Sequence, residues 1–355
     1  LENSGLIIKK DYLENDFYQI RLNDNGQIIS LFDKRLEREV IAQGARGNVL
    51  QTFEDKPMNF DAWDIDLYYQ EKMREIDQLA EVNIHEAGPV RGSLKLTWKF
   101  YDSTIIQYLT IYKHSPRIDF RTQVDWNEKQ TLVKVAFPVN VRSTKATYDI
   151  QFGNIERPTH WNTSWDQARF EVVGHKWVDL SEGNFGVSLL NDCKYGHDVK
   201  DNVIRLTLIK SSVSPDETAD RGIHEFTYSL VPHKGDWREG NIVKEAYHLN
   251  VPLMAAELSA NPKGNLPPAY QFAEIDRDHV LLETVKKAED DDSIVVRFYE
   301  YKQFSNKTNI SFAKPIKKAV ECNLMEEEVN PADYQGKTLS FSVSPYEIKT
   351  FKVWF

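Results

Sequence analysis

The sequence predicts an all-β protein in which a large antiparallel β-sandwich, residues 1–260, precedes a smaller β-sandwich, residues 261–355. Three observations support this prediction. Aromatic residues, Thr, Val and Ile are abundant, and these residue types favour strands. Apolar and polar side chains alternate over many short segments, which is the pattern of half-buried strands. A stretch with three prolines and one glycine, 261–268, is the best linker in the chain.

The large sandwich is predicted to begin with a hairpin over 12–33, whose two alternating segments flank the turn sequence Asn-Asp-Asn-Gly at 23–26. Residues 34–50 are interpreted as an excursion, and 51–72, dense in aromatic and acidic residues, as irregular. Successive alternating segments predict neighbouring antiparallel strands over 90–100, 104–112 and 118–126. Further strands are predicted over 133–139, 147–152, 185–190, 203–209 and 226–231, with one helix over 235–247.

The small sandwich is predicted from short strands that follow the linker at the spacing typical of such folds. These strands are predicted over 270–275, 280–285, 293–300, 309–312, 316–322, 339–343 and 348–355.

Composition excludes several kinds of partner. The formal net charge is −10 and the basic runs are short, so we expect no nucleic-acid partner. No apolar run reaches the roughly 18 residues of a membrane helix and no signal peptide is recognised, so we expect no membrane association. The chain opens with Leu1-Glu2-Asn3 rather than Met, which predicts a piece of a longer protein.

The two cysteines, Cys193 and Cys322, lie far apart in the sequence. They cannot form a disulfide framework, and a metal site built on them would need added His or Asp ligands. We therefore expect two free thiols in a reducing compartment, the cytoplasm. The Asn-x-Ser/Thr patterns at Asn162, Asn306 and Asn309 are short enough to arise by chance.

Acidic and aromatic residues are concentrated at 59–69. If this segment is extended, Asp64 and Asp66 project to one side and Trp63 to the other, while Asp61 needs a bend to join the other acids. Carboxylates that accept hydroxyl hydrogens and rings that cover C–H faces suit a sugar. The alternative is a loop whose acids cap backbone amides and whose rings fill the core, and the residues alone leave both open.

A second candidate is the polar loop at 214–225, which leads into the strand predicted at 226–231. It carries several acids, Arg221 and a glycine beside a buried strand, and loops on rigid scaffolds often present binding residues. The alternative is a solvated acidic loop in which Arg221 makes a surface ion pair.

A third cluster of aromatic and polar residues spans 161–180. We expect Trp177 and Leu180 to pack in the core and His175 to be structural. The sequence has no His-x-x-x-His on a helix, no Cys-x-x-Cys, no Gly-x-Ser-x-Gly and no Gly-rich phosphate loop. No complete catalytic set is therefore evident, although paired carboxylates need no fixed spacing.

Five motifs in order carry a resemblance to a known family. They are Phe-Glu-Asp-Lys-Pro at 53–57, Asp-Ala-Trp-Asp-Ile-Asp at 61–66, His-Lys-Trp-Val-Asp-Leu-Ser-Glu at 175–182, Leu-Asn-Asp-Cys-Lys-Tyr-Gly at 190–196, and Asp-Arg-Gly at 220–222 with Phe-Thr-Tyr at 226–228 and Pro-His at 232–233. From residue 12 to residue 237 the chain resembles the C-terminal half of α-mannosidases of glycoside hydrolase family 38. The likeness is more diffuse over the last 90 or so residues.

The resemblance implies a retaining exo-α-mannosidase that hydrolyses terminal α-mannosyl residues with a divalent metal, usually zinc, held by His and Asp side chains. In the family the nucleophile, the acid/base and the metal ligands belong to an N-terminal α/β domain and a following helical domain, which this chain lacks. We therefore assign no catalytic residue, metal ligand or cofactor to this chain, and we expect it to be inactive alone. The family's β architecture also resembles the galactose-mutarotase sandwich.

The resemblance further implies that the β domains pack on the catalytic domain and lend loops to its site. We then expect Arg221 to donate hydrogen bonds to substrate hydroxyls and Asp220 to orient its guanidinium. The second set of substrate-binding candidates is Asp61, Trp63, Asp64 and Asp66. The expected partners are a mannoside or glycan and the missing N-terminal catalytic domain. Family members often assemble, which adds a homo-oligomer to these expectations, although no stretch identifies an interface.

Two alternative functions remain open at this point. A self-sufficient carbohydrate-binding module predicts that the chain binds mannosides by itself through Trp63 or Arg221. An aldose-epimerase-like enzyme on the same kind of sandwich needs a Glu and a His in one pocket, and the nearby histidines are His175, His197 and His224.

Overall fold

The computed structural model describes residues 5–259, 263–265 and 267–355. The chain is 52% strand and 5% helix, which confirms the all-β class. The described residues fall into two compact units, one made of 5–150 and 155–253 and the other of 151–154 with the described part of 254–355. The residues on either side of the boundary predicted at 260 and 261, and the opening residues 1–3, lie outside the described residues.

In the described part of the chain, twenty strands precede residue 254. In chain order they are β1 (Ile7–Lys9), β2 (Tyr12–Glu14), β3 (Tyr18–Leu22), β4 (Ile28–Asp33), β5 (Arg38–Glu39), β6 (Val49–Glu54), β7 (Met73–Glu75), β8 (Leu79–Ala87), β9 (Arg91–Phe100), β10 (Ser103–Tyr112), β11 (Ile118–Trp126), β12 (Thr131–Pro138), β13 (Lys145–Ile150), β14 (Gly153–Pro158), β15 (Val172–Val173), β16 (Trp177–Glu182), β17 (Phe185–Asn191), β18 (Gly196–Lys200), β19 (Val203–Ser211) and β20 (Gly222–Lys234). The helices are a 3₁₀ helix (Leu67–Glu71), α1 (Ser164–Gln167) and α2 (Ile242–Asn250).

These strands form three antiparallel sheets. A five-stranded sheet has the order β1-β2-β3-β4-β5, a nine-stranded sheet the order β14-β13-β16-β17-β20-β11-β10-β9-β8, and a six-stranded sheet the order β15-β18-β19-β12-β6-β7. The three consecutive strands β9, β10 and β11 lie side by side with continuous registers, which confirms their prediction from alternating side chains.

One hydrophobic core lies between the large sheets of the first unit. Phe120 on β11 packs against Phe137 on β12 across the sandwich, with ring centroids 5.6 Å apart, and against Tyr228 on β20 within its own sheet. Ile20 and Leu31 of the five-stranded sheet join the same core. Each such side chain contributes roughly 1.5–3 kcal/mol when it is fully removed from water. The expected core positions Trp177 and Leu180 are indeed buried.

The first hairpin forms as predicted, with β3 paired to β4. The Asn23 side chain accepts from the backbone N–H of Gln27 at 2.9 Å and closes the turn. Gly26 has φ +76°, and a Cβ there would lie 2.8 Å from the Trp98 ring. Glycine is therefore required at this position for both its backbone angle and its lack of volume.

Several elements differ from the prediction. Residues 51–54, interpreted as irregular, belong to β6, which pairs with β12. Strand β8 was missed, because as an edge strand it leaves most of its side chains at least partly exposed. The helix predicted from residue 235 begins at Ile242, since Asn241 adopts a left-handed backbone and the Asp236 side chain accepts from the Arg238 N–H in a turn.

The described residues of the second unit form nine strands. They are β21 (Ala273–Ile275), β22 (Val280–Lys287), β23 (Ile294–Glu300), β24 (Asn306–Phe312), β25 (Lys318–Cys322), β26 (Glu328–Pro331), β27 (Asp333–Gln335), β28 (Thr338–Val343) and β29 (Ile348–Trp354). They form a four-stranded sheet, β21-β24-β28-β27, and a five-stranded sheet, β22-β23-β29-β25-β26. Side chains from both sheets, including Phe298 and Phe341, build a separate core. The short strands β26 and β27 were not predicted, because most of their side chains are exposed.

The helices of the described residues are all too short or too polar to cross a membrane. Of the predicted linker 261–268, residues 261, 262 and 266 lie outside the described part of the chain, and the remaining residues belong to no helix or strand.

Candidate functional site

The segment after β6 folds as a turn and a 3₁₀ helix, so it is not the extended strand that the side-chain alternation assumed. Phe60 has φ +54°, and its carbonyl accepts from the backbone N–H groups of Trp63 at 2.7 Å and Asp64 at 2.9 Å. The chain therefore reverses at 60–64, which is the bend that Asp61 needs in order to approach the other acids.

Asp66 is used to hold this turn. Its Oδ2 accepts from the Met58 N–H at 2.7 Å and from the Tyr68 hydroxyl. These hydrogen bonds, that of Tyr68 first, lower the pKa of Asp66. The loop interpretation, in which the acids cap backbone amides, therefore describes Asp66 correctly.

Asp61 joins the two candidate segments. Its Oδ2 accepts from the backbone N–H of Val213 at 2.7 Å, and Val213 lies at the start of the loop that carries Arg221. Its Oδ1 is buried and has no hydrogen-bond partner among the described residues. Asp61 thus connects the segment at 59–69 to the start of the loop that carries Arg221.

A buried carboxylate that sequence analysis did not single out lies beside them. Asp55 is 1% exposed, and its Oδ2 is hydrogen bonded to Lys210 Nζ at the end of β19. Burial raises the pKa of Asp55, Lys210 opposes this, and the charges of Asp61 and Asp66 raise it further. These three acids are therefore close enough to interact, and Lys210 provides the second connection between the segment and β19.

Trp63 and Asp64 are presented to solvent by the turn. The Trp63 side chain is 71% exposed, and Asp64 is exposed without a side-chain hydrogen bond or ion pair to any described residue. An exposed ring beside a free carboxylate can cover a C–H face and accept a hydroxyl hydrogen. Of the four candidates in this segment, these two are available to a ligand.

Arg221 and Asp220 are also exposed. Asp220 has φ +56°, its carbonyl lies 2.8 Å from His224 Nε2, and the Arg221 N–H donates to the Thr218 carbonyl at 3.1 Å. Neither side chain makes an ion pair or a side-chain hydrogen bond within the described part of the chain. The expected orientation of the Arg221 guanidinium by Asp220 is therefore absent, and five donors of Arg221 are free.

A buried ion-pair cluster that was not predicted lies under the 3₁₀ helix. Lys134 in β12 is fully buried and contacts Glu171 and, at 2.8 Å, Asp198 Oδ2. Arg205 Nε donates to Asp198 Oδ1 at 2.7 Å, and the Tyr69 hydroxyl donates to Glu171 at 2.8 Å. The sequence contains a feature that could have predicted this cluster, because a lysine interrupts an otherwise apolar strand at 132–137. The cluster fixes Tyr69, and through it the end of the candidate segment.

The three histidines named for an epimerase-like site make contacts with groups other than Glu side chains. His175 packs on the Tyr195 ring, and His224 contacts the Asp220 carbonyl. His197 is fully buried, and burial, followed by the charge of Lys134, lowers its pKa to about 3. None of the three makes a hydrogen bond or ion pair with a Glu side chain of the described residues.

Both units of the chain are similar to known proteins. Residues 13–218, more than half of the chain, match the family described as "Glycosyl hydrolases family 38 C-terminal domain". The chain belongs to glycoside hydrolase family 38. Residues 279–351 match "Glycosyl hydrolases family 38 C-terminal beta sandwich domain", so both units of this family 38 chain carry C-terminal family sequence, and the resemblance carried by its motifs is confirmed.

Several relatives of this family 38 chain are named α-mannosidases. Alpha-mannosidase G of Dictyostelium discoideum is 41% identical over 96% of this chain and 32% of its own length. Alpha-mannosidase 2C1 of Homo sapiens is 38% identical over 95% of this chain and 33% of its own length. The chain therefore spans about a third of the length of the curated relatives that it matches. The crystal structure of an alpha-mannosidase from Enterococcus faecalis V583 has the same fold over 98% of this chain and 42% of that chain, with a TM-score of 0.79 at 18% identity.

The residues of this chain do not fit the metal site that family membership implies. Within residues 5–259, 263–265 and 267–355, no group of three or more His, Cys, Asp or Glu side chains is arranged to hold a metal ion. The interacting acids of the candidate site, Asp55, Asp61 and Asp66, are engaged by Lys210 and by backbone N–H groups.

Proposed function

We propose that this chain forms the C-terminal β-portion of a retaining exo-α-mannosidase that hydrolyses terminal α-mannosyl residues. The observation that supports this most strongly is 38–41% identity over nearly the whole chain to proteins named α-mannosidases. The nucleophile, the general acid/base and the ligands of a divalent metal, zinc in this proposal, lie in a catalytic domain that precedes this chain in the same polypeptide. The relatives are about three times as long as this chain, which leaves room for such a domain.

In this proposal the β-portion contributes to binding the mannoside rather than to bond cleavage. Arg221 donates hydrogen bonds to substrate hydroxyls, because its guanidinium is exposed and has no partner in the described structure. The Trp63 ring covers a C–H face of another part of the glycan. The Asp64 carboxylate accepts a hydrogen bond from a hydroxyl of that part. Asp61 and Asp66 act indirectly, by holding the turn that presents Trp63, and Asp220 shapes the Arg221 loop.

Activity assays separate the role of this chain from that of the preceding domain. We expect the 355-residue chain to show no α-mannosidase activity with added zinc, because binding contacts alone provide no covalent route. The full-length protein that contains it should be active. Substantial turnover by the isolated chain would contradict the proposal.

Arg221→Gln in the full-length protein tests the binding role. Loss of a charged donor to the substrate should lower kcat/KM by about 10–100-fold, since hydrogen bonds to charged groups contribute roughly 1.5–3 kcal/mol. Arg21→Gln, an exposed arginine on β3, is the matched control and should leave kcat/KM unchanged. Equal kinetics for both variants would remove Arg221 from the substrate site.

A self-sufficient carbohydrate-binding module is the second candidate, favoured by the exposure of Trp63 and Arg221. It predicts that methyl α-mannoside binds the isolated chain in calorimetric titrations, and that Trp63→Ala or Arg221→Gln weakens this binding. Flat titrations at millimolar concentrations would exclude it while leaving the mannosidase proposal intact.

We further propose that the protein works in the cytoplasm as a homo-oligomer. Two free cysteines, one of them exposed, support a reducing compartment. Cell fractionation tests the location, and light scattering of the full-length protein tests assembly. A secreted or monomeric protein would contradict the respective part of this proposal.

A further inference from the structure

A small pocket rich in positive charge lies in the first unit, and the proposed function makes no use of it. We call it the Arg157 pocket; its lining includes Tyr148, Arg157, Trp161, Arg169, Asp198 and Lys200. Arg157, at the end of β14, lies with its guanidinium carbon 4.6 Å from the centre of the Tyr148 ring. Its Nη1 is buried and has no hydrogen-bond partner among the described residues. A buried charged donor that has no acceptor destabilises the folded state. This indicates that Arg157 donates to an acceptor that is not part of the chain.

The carboxylate in the pocket wall does not provide this acceptor. Asp198 already accepts from Lys134 Nζ at 2.8 Å and from Arg205 Nε at 2.7 Å. Glu171, the next acid, is hydrogen bonded to the same Lys134. Two carboxylates and two cations therefore balance one another within the ion-pair cluster, and no negative charge is left over for Arg157.

The remaining charged side chains of the pocket are cations. Lys200 Nζ lies 3.2 Å from the Asp201 carboxylate and 5.3 Å from the centre of the Trp161 ring. Arg169 is exposed and has no ion pair or side-chain hydrogen bond in the part of the chain that the structure describes. Burial lowers the pKa of Arg157, Tyr148 opposes this, and the charge of Arg169 lowers it further, so the two guanidiniums are near enough to repel each other. The pocket thus holds two uncompensated positive charges in a chain whose net charge is −10.

We propose that the Arg157 pocket binds one small inorganic anion of the size and charge of chloride. Arg157 Nη1 donates to the anion from inside the pocket, and the Arg169 guanidinium balances its charge from the mouth. The pocket is far too small for a sugar or a nucleotide. An anion there satisfies the orphan donor and removes the repulsion between the guanidiniums. The proposal is independent of whether the chain serves a mannosidase.

Thermal unfolding of the 355-residue chain in sodium chloride and in sodium gluconate of equal ionic strength tests this site. Because chloride binds the folded state, we expect the unfolding midpoint to rise with chloride concentration and then to saturate. Gluconate is too large for the pocket and should give only the general effect of salt. Equal midpoints in the two salts at every concentration would overturn the proposal.

Two variants locate the effect. Arg169→Gln changes an exposed residue, so the variant should fold, and loss of its charge should raise the half-saturating chloride concentration about tenfold. Arg157→Met should abolish the chloride effect. Arg21→Gln, whose arginine also lies over a tyrosine ring, at 5.2 Å, but outside the pocket, should retain it. A chloride effect unchanged in Arg169→Gln would overturn the assignment, even if Arg157→Met failed to fold.

Crystals soaked in sodium bromide give an independent readout. Bromide replaces chloride and scatters anomalously, so we expect an anomalous peak between Arg157 and Arg169. Peaks elsewhere without one in the Arg157 pocket would also overturn the proposal.

Discussion

A closed ring of side-chain hydrogen bonds lies inside the core of the first unit. Asn48 Nδ2 donates to Gln107 Oε1, Gln107 Nε2 donates to the Tyr228 hydroxyl, and that hydroxyl donates to Asn48 Oδ1, each at 2.7 Å. Gln107 also donates to Thr122 at 2.9 Å. These side chains come from β10, β11, β20 and the residue before β6, so the ring fixes the two sheets relative to each other.

Gln107→Leu tests the energy of this ring. The change keeps the volume but leaves the buried Asn48 amide without its acceptor, so the free energy of unfolding should fall by about 1–3 kcal/mol. Gln123→Leu on β11 is the matched control, because the Gln123 side chain bonds to Glu225 near the surface and to no other described residue, and its effect should stay within about 0.5 kcal/mol. Denaturant titrations measure both, and equal losses would contradict the role of the ring.

A second buried set of residues, Asp179, Ser188 and His233, has the residue types of a hydrolytic triad but a structural arrangement. His233 Nε2 lies 2.7 Å and Ser188 Oγ 2.6 Å from the same oxygen, Asp179 Oδ1. All three are buried, so a substrate cannot reach the serine. Burial lowers the pKa of His233, but the Asp179 carboxylate outweighs this and, with Asp236, raises it above its ordinary value.

The raised pKa of His233 predicts a pH dependence of stability. Between the unfolded pKa, about 6.5, and the higher folded pKa, the native state binds more protons than the unfolded state. The contribution of His233 is therefore complete below about pH 6.5 and is lost as the pH rises through its folded pKa. Asp179→Asn removes the cause and should flatten this slope in denaturant titrations at successive pH values. An unchanged slope in the variant would assign the dependence to other groups.

At the scale of secondary-structure elements, β17 approaches its neighbours closely at one glycine. Gly186 pairs with His233 on β20 and with Ser181 on β16. A Cβ at Gly186 would lie 2.4 Å from His233 Cε1 and 2.8 Å from Ser181 Cβ. Since His233 is held by Asp179, it cannot move aside at low cost.

Gly186→Ala should therefore lower the free energy of unfolding by about 1–3 kcal/mol through overpacking. Gly183→Ala, in the turn of the same hairpin, is the control, because nothing lies within 4 Å of its Cβ position. Urea titrations of the two variants compare them directly. A loss as large for Gly183→Ala would show that alanine itself, and not the contact with His233, is responsible.

In the second unit, one buried carboxylate organises the loop after β23. Glu300 is fully buried and accepts from the backbone N–H groups of Lys302, Gln303, Phe304 and Tyr346 at 2.7–3.1 Å. Both oxygens are acceptors, so an amide in place of the carboxylate would direct two donors at backbone N–H groups.

Glu300→Gln should lower the stability of this unit by about 1–3 kcal/mol although the two side chains have nearly the same shape. Glu274→Gln on β21 is the control, since Glu274 is exposed and has no side-chain partner in the described structure. Circular dichroism of thermal unfolding measures the difference. Equal behaviour of the two variants would mean that the backbone N–H groups find other acceptors.

At the scale of the whole molecule, the two units have separate hydrophobic cores that share no residue. Separate cores allow separate unfolding, and chains with more than one domain commonly depart from two-state behaviour. We expect two calorimetric transitions. Phe298→Ala should shift one of them, with a loss of about 3–5 kcal/mol, and leave the other in place. A single transition that moves as a whole would show that the units unfold together.

Much of the fold could be predicted because strand periodicity is a local property. The Asn23–Gly26 turn and the alternation in β9, β10 and β11 were sufficient to identify those elements and their pairing. Exposed edge strands such as β8 and β26 were missed because exposure removes the alternation that marks a half-buried strand. The helix start at Ile242 was misplaced because a side-chain turn at Asp236 resembles a helix start in sequence.

Less of the candidate site could be predicted, since its residues meet only through long-range contacts. The sequence proposed Asp61, Trp63, Asp64 and Asp66 as one set. The structure separates them into exposed residues that a ligand can reach and acids that hold the backbone. The contacts of Asp61 with Val213 and of Asp55 with Lys210 span more than 150 residues, and no local pattern reports such a pair.

The sequence by itself determined the all-β class, the family and most strands, because these depend on residue types, order and short-range periodicity. Only the tertiary structure decided which charges are satisfied. Lys134 and His233 are matched by carboxylates from distant strands, whereas Arg157 and Arg221 are left without one among the described residues. That difference depends on which strands become neighbours, and it is set by the burial of apolar faces rather than by the charged residues themselves.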